Sequence, residues 1–199
     1  MHSLLTTNRF VPAQMYQAVT AFIDKISALC DVLQLDLAPF QLDHIAMRIN
    51  DRQLAEAARN AWLNEGMEIS SAQINGRPII VIELENPIML GRWSTRYLEL
   101  PYPAQGKSYP RQGWEHVEFV IPSGATNIDD FLQDIWQRFP ALEQMWPTLE
   151  QQGITVKCSA PKGEGERLAN PTIAFRQGDI CLKLHPHSLA QVIASEHQI

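Results

Sequence analysis

Apolar and polar positions alternate along Leu42-Asp43-His44-Ile45-Ala46-Met47-Arg48-Ile49, and again along Trp114-Glu115-His116-Val117-Glu118-Phe119-Val120-Ile121. A period of two is the mark of a strand whose faces meet different surroundings. Ile45, Met47 and Ile49 share one face of the first segment; Val117, Phe119 and Ile121 share the matching face of the second. His44 and His116 fall on the opposite face, at matching places. A duplicated strand with a duplicated histidine predicts a pseudo-symmetric fold that brings two imidazoles into one cleft.

The period changes elsewhere. Val19, Phe22, Ile23, Ile26, Leu29, Cys30 and Leu33 recur at steps of three and four, which predicts a helix over 13–35. Pro12 suits its start and Pro39 keeps it from continuing. After the strand at 42–49, Asn50-Asp51 offers an N-cap. Leu54, Ala57, Ala58, Ala61 and Trp62 then mark a helix closing near Gly66. Strands are predicted at 67–73, 78–84 and 95–100, with Asn75-Gly76 as a hairpin turn.

This βαβββ order recurs from Trp114. A strand at 114–121 leads to a cap at Thr126 or Asn127 and a helix carrying Phe131, Leu132, Ile135 and Trp136. A helical insertion over 141–151 precedes strands at 153–158, 171–176 and 180–185, the last two joined by a turn at Gln177-Gly178-Asp179. Leu98-Glu99-Leu100-Pro101 lines up with Leu182-Lys183-Leu184-His185. Glu99 and Lys183 are further apart than His44 and His116 by about the length of that insertion. The polar stretch from Ala160 to Asn170, with Lys162-Gly163-Glu164-Gly165-Glu166, is expected to be a surface loop or a lid. The expected class is α+β: an N-terminal helical extension over 1–40, two βαβββ units at 41–101 and 114–187, and a tail at 188–199.

Composition narrows the classes. The 199 residues are 45% hydrophobic and 19% charged, a globular balance. A net charge of -6 with scattered Lys and Arg argues against a nucleic-acid partner. Cys30, Cys158 and Cys181 lie far apart and form no disulfide framework, which suits a reducing compartment. Met1 to Phe10 lacks a signal-peptide apolar core, and no run of about 18 apolar residues occurs, so neither export nor a membrane span is expected. The cytoplasm is the expected location.

Alternation puts Leu98 and Leu100 in the core and Glu99 on the other face. If that face is shared with His44 and His116, the cleft holds two imidazoles and a carboxylate. That set suits a divalent ion such as Zn, Fe(II), Mn or Ni. The competing reading pairs Glu99 with Arg48 or Lys183. His185 and His187, at a strand end near the terminus, are expected to face solvent; Trp114 is placed in packing or at the cleft entrance, and Cys181 in the core.

Paired βαβββ units, with His on the first strand of each and Glu on the last strand of the first, resemble the vicinal oxygen chelate superfamily. Within it, the run Asp43 to Ile49, Asn75-Gly76-Arg77-Pro78 and Tyr109-Pro110-Arg111-Gln112-Gly113-Trp114-Glu115-His116-Val117-Glu118 are most similar to the bacterial YecM family. The resemblance spans roughly residues 40 to 187. It implies a curved mixed sheet around a cleft, with a divalent metal bound by His44, Glu99 and His116. It also implies a substrate that presents two adjacent oxygens to the metal.

The fourth ligand position departs from the pattern, because Lys183 stands where many relatives have a carboxylate. Three outcomes follow from that: an extra open site, Glu118 as a second carboxylate, or a metal-free anion pocket around Lys183. Glu118 and Glu83 are candidate general bases. Arg48 and Lys183 are candidates to orient an anion, and Tyr97 to donate a hydrogen bond.

The function implied is isomerase, lyase or dioxygenase chemistry on a small molecule, in a monomer or homodimer. One alternative is a non-catalytic small-molecule sequestration protein of bleomycin-resistance type. Another is an interaction module that docks through the N-terminal helix.

Overall fold

Local signals decide where the first elements begin. The Asp51 carboxylate accepts from the Leu54 amide at 2.7 Å and starts a helix over Arg52–Trp62. Asn127 does the same for Ile128–Arg138, accepting from the Asp130 amide at 2.9 Å. Both caps satisfy backbone N–H groups that the first helical turn leaves without partners. A computed structural model of the chain describes residues 2–74, 76–160 and 168–196.

In chain order the described elements are α1 (His2–Asn8), α2 (Pro12–Leu33), β1 (Gln41–Arg48), α3 (Arg52–Trp62), β2 (Gly66–Ser70), β3 (Gln73–Ile74), β4 (Arg77–Leu90) and β5 (Trp93–Pro101). They continue as β6 (Gly113–Val120), α4 (Ile128–Arg138), α5 (Pro140–Met145), β7 (Ile154–Ser159), β8 (Thr172–Gln177), β9 (Ile180–His185) and α6 (Leu189–Glu196). The fold is α+β, and the βαβββ order occurs twice, with the two-residue β3 as an addition to the first copy. Two short 3-10 turns, Trp146–Thr148 and Glu150–Gln152, complete the helical insertion of the second copy.

The chain divides into two compact units: Met1–Ile23 with His44–His116, and Asp24–Asp43 with Val117–Ile199. In the first, the strands run β2-β4-β5-β1, with β1 parallel to β5 and the other pairs antiparallel. In the second they run β7-β8-β9-β6. Each copy therefore has the same internal order: second strand, third, fourth, first. The Ile121 amide bonds the His185 carbonyl at 2.8 Å in the second unit.

Register confirms the alternation in the first unit. Ile82, Leu98 and Ile45 lie side by side across β4, β5 and β1, and all are fully buried. The helix α3 buries Leu54, Ala55, Ala57, Ala58 and Trp62. Complete burial of one such large apolar side chain is worth about 1.5–3 kcal/mol. Trp62 meets Tyr16 and Trp114 edge-on, with ring centroids 5.4 and 6.1 Å away. The second unit's core gathers Val117, Phe119, Phe131, Ile135, Leu142, Phe175 and Leu182.

Four expectations change. Gly66 does not close α3, which ends at Trp62; it opens β2 instead. A Cβ there would sit 2.3 Å from the Glu83 carbonyl oxygen, so only glycine lets β2 approach β4 so closely. The strand expected to stop at 84 continues to Leu90 and turns through Gly91 and Arg92, with Leu90 opposite Trp93. Gly91 takes φ +64 at the first of the two loop positions, where hairpins of this type favour glycine. The tail after 188 carries the helix α6, and a short helix α1 precedes α2. Gly76 takes φ +74 and β3 pairs with β4 around it, whereas Asn75 and the loop 161–167 lie outside the described residues.

Candidate metal centre

The first unit's other face is polar. Glu83, Tyr97 and His44 lie side by side across β4, β5 and β1, and Val81, Glu99 and Ala46 form the next row. This is the face that alternation assigned to His44 and Glu99. His116 enters from β6, and its ring centroid lies 6.0 Å from that of His44. The two oxygens of Glu99 each turn to one ring: Oε2 is 3.4 Å from His44 Nε2, and Oε1 is 3.9 Å from His116 Nε2. Ligand atoms of His44, Glu99 and His116 all lie within 4.8 Å of one another, a grouping able to hold a metal ion. Both histidines are 3% exposed, so neither is a solvated surface ring.

Glu115, which the sequence reading passed over, meets His116 at Nδ1. Its other oxygen accepts from Arg48 Nη2 at 2.7 Å. The Arg48 guanidinium also lies 4.2 Å from the centre of the Tyr109 ring. Tyr109 is held in turn by the Asn50 side chain, which donates to its carbonyl at 2.7 Å and accepts from its amide at 3.0 Å. Arg48 is thus engaged by Glu115 and not by Glu99. Alternation hid Glu115, because adjacent strand residues nominally face opposite ways.

Lys183 has a carboxylate partner of its own. In the second unit its ammonium donates to Glu118 Oε1 at 2.6 Å. Glu118 Oε2 lies 3.7 Å from His185 Nε2, and Asp43 Oδ2 lies 3.5 Å from the same nitrogen. Asp43 Oδ2 also accepts from the Leu189 amide, at the first residue of α6, at 2.8 Å. On the far side of the ring, Asn170 Nδ2 reaches His185 Nδ1 at 3.0 Å. His185 therefore corrects the expectation of a solvent-facing side chain: it is 1% exposed and surrounded by polar partners. His187 is half-buried, and burial pushes its imidazole below the ordinary value.

Other candidates take packing roles. Trp114 donates from Nε1 to the Met15 carbonyl at 2.9 Å, fixing the start of α2 against β6. Cys181 is buried, as expected. Among the described residues, no helix is long and apolar enough to cross a membrane.

The family model described as YecM protein matches residues 12–196. Protein YecM of Escherichia coli (strain K12) is 36% identical over 179 residues, covering 88% of each chain. An uncharacterized protein of Haemophilus influenzae is 35% identical over 178 residues, covering 86% of this chain and 88% of its own. A solved structure described as Structural Genomics, Protein EC4020 is similar with a TM-score of 0.73 at 34% identity, covering 89% of this chain and 88% of that one. With the family match running through both βαβββ copies and the His44 and His116 strands, the chain belongs to the YecM family.

Proposed function

We propose that this chain is a divalent-metal-dependent protein of the vicinal oxygen chelate type, acting on a small molecule with adjacent oxygens. The observation that carries the reading is the convergence of His44, Glu99 and His116, with ligand atoms within 4.8 Å of one another. The donor set fits: two imidazoles and one carboxylate suit Zn, Ni, Mn or Fe(II) and leave coordination positions for substrate oxygens. A carboxylate that turns one oxygen to each ring at 3.4 and 3.9 Å also matches the spacing expected around a shared ion better than a tight hydrogen bond. The ion would supply Lewis acidity to a developing oxyanion.

The chain's own groups supply the rest. Glu83 and Tyr97 stand in the same row as His44, each about 4.8 Å further along the sheet. We assign Glu83 as the proton acceptor and the Tyr97 hydroxyl as a hydrogen-bond donor to the part of the substrate lying over β5. Glu118 is the second candidate base, and its ion pair with Lys183 makes it the less available one. Arg48 and Lys183, the candidate anion grips, are both bound to carboxylates, so an anionic substrate group would have to displace a neighbour.

A sequestration protein of bleomycin-resistance type is the second reading. It is favoured by Lys183 at the position that matches Glu99, where a further carboxylate ligand would otherwise stand. Elemental analysis of tag-free protein tests the main reading. About one ion per chain, lost in His44→Ala and His116→Ala, supports it; absence of metal with failure to reload removes it. Turnover of 2-oxoaldehyde–thiol adducts or catechols by the loaded protein then separates enzyme from binder.

A further inference from the structure

We propose that Glu115, held by Arg48, is the positioning residue that fixes the tautomer of His116 and keeps its Nε2 lone pair turned to the metal position. The proposal rests on the metal reading for its purpose, but its structural content stands apart from it. Glu115 is 5% exposed, and a carboxylate so far out of water is costly unless strongly partnered. Its partners are the Arg48 guanidinium at Oε1 and His116 Nδ1 at Oε2.

A carboxylate paired with a guanidinium has only lone pairs to offer. The contact with His116 is therefore favourable only if Nδ1 carries the hydrogen and donates. The reverse tautomer would set the Nδ1 lone pair against a negative oxygen. In the neutral ring, hydrogen on Nδ1 leaves the lone pair on Nε2, the atom that faces Glu99 at 3.9 Å. Arg48 cannot drift from Glu115 easily, because its guanidinium also lies on the Tyr109 ring. Asn50 grips the Tyr109 backbone from both sides, and the Asn50 amide donates to Gln112 Oε1 at 2.7 Å. The segment before β6 thereby sets the state of a ring within β6. An orienting carboxylate behind an imidazole ligand also raises its basicity.

The test is read first on apo protein. Long-range 15N–1H spectra, with His116 assigned by comparison with His116→Gln, should show the Nδ1–H tautomer in the wild type. A wild-type His116 in the Nε2–H form overturns the proposal without any variant having to fold. Glu115→Gln, whose carboxamide can donate or accept, should let the ring populate both forms. Zn²⁺ and Ni²⁺ titrated by calorimetry at one fixed pH should then bind Glu115→Gln about 10–100-fold more weakly than wild type. If Glu115→Gln melts lower but keeps both tautomer and affinity, Glu115 is a structural ion-pair partner and the proposal fails. If wild type shows the Nδ1–H form yet binds no ion, the metal reading fails and the positioning role stands.

Discussion

Each unit buries a histidine among carboxylates, and the two rings are set the opposite way round. In the first unit His116 gives Nδ1 to a carboxylate, Glu115, and turns Nε2 toward Glu99. In the second unit His185 takes a hydrogen bond at Nδ1 from the Asn170 amide. The amide cannot be reversed cheaply: Asn170 Oδ1 accepts from the His187 backbone N–H at 3.1 Å, and its Nδ2 reaches the His187 carbonyl at 3.2 Å. Neutral His185 therefore carries hydrogen on Nε2, facing Asp43 and Glu118. A lone pair takes a cation, and an N–H does not. On the metal reading proposed above, similar residue types build two different devices: one suited to a ligand, the other a brace. The brace has a visible load, because Asp43 also holds the first amide of α6.

The sharpest way to break this comparison is to remove each histidine and count metal. His116→Ala should abolish bound ion, while its fold persists. His185→Gln should keep the ion and melt at lower temperature. Elemental analysis paired with thermal denaturation reads both, and a metal content that depends on His185 instead of His116 would reverse the assignment.

A second contrast uses the acids. Asp43→Ala strips a buried partner from His185 Nε2 and from the Leu189 amide. Leaving buried donors unsatisfied costs about 1–3 kcal/mol, read by urea denaturation, with faster hydrogen exchange along α6. Glu99→Gln keeps the size of a side chain that water partly reaches, so its effect on stability should be smaller. If the two variants lose equal stability, the second cluster is no more of a brace than the first.

The difference between the clusters explains what could be read in the sequence. The shared face of His44 and Glu99 was legible because each lies on a strand whose period of two shows its face, and the register across β1 and β5 bears that out. The caps at Asp51 and Asn127 were legible because capping is local chemistry. Glu115 was not, since its contact bends around from the residue next door. His185 was not, because its burial depends on Asp43, 142 positions earlier, and on α6, which no strong periodicity announced. The extension of β4 to Leu90 was hidden by Glu85, Asn86 and Pro87, and the register shift between Glu83 and Ile88 absorbs that polar stretch.

The units should also differ in their response to alkali. Tyr102, in the first unit, has its phenol pushed up to about 12, chiefly by burial and then by its hydrogen bond to Glu56 at 2.5 Å. The folded state favours the neutral phenol, so this stability is complete below pH 10 and disappears as pH rises toward 12. Tyr102→Phe should cost about 1 kcal/mol at neutral pH, since Glu56 remains solvated. Melting curves at pH 8 and 11 should show the gap between wild type and variant closing in alkali. A gap that stays constant would mean the phenol does not ionise differently in the two states.

The smallest expected effect lies in the second unit, at the acid end. Burial lowers the His187 imidazole from its ordinary 6.5, so the folded state favours the neutral ring. Above pH 6.5 both folded and unfolded chains carry it neutral. As pH falls through that value the unfolded chain binds the proton first, and stability is lost until the folded ring protonates as well. His187 is only half-buried, so water screens much of this effect. His187→Gln should accordingly flatten, slightly, the fall in melting temperature between pH 7.5 and 5.5. The flattening should appear when unfolding is followed by Trp136 and Trp146 in the second unit. An identical slope in wild type and variant would move the acid sensitivity away from His187 and leave the brace around His185 as the place to look.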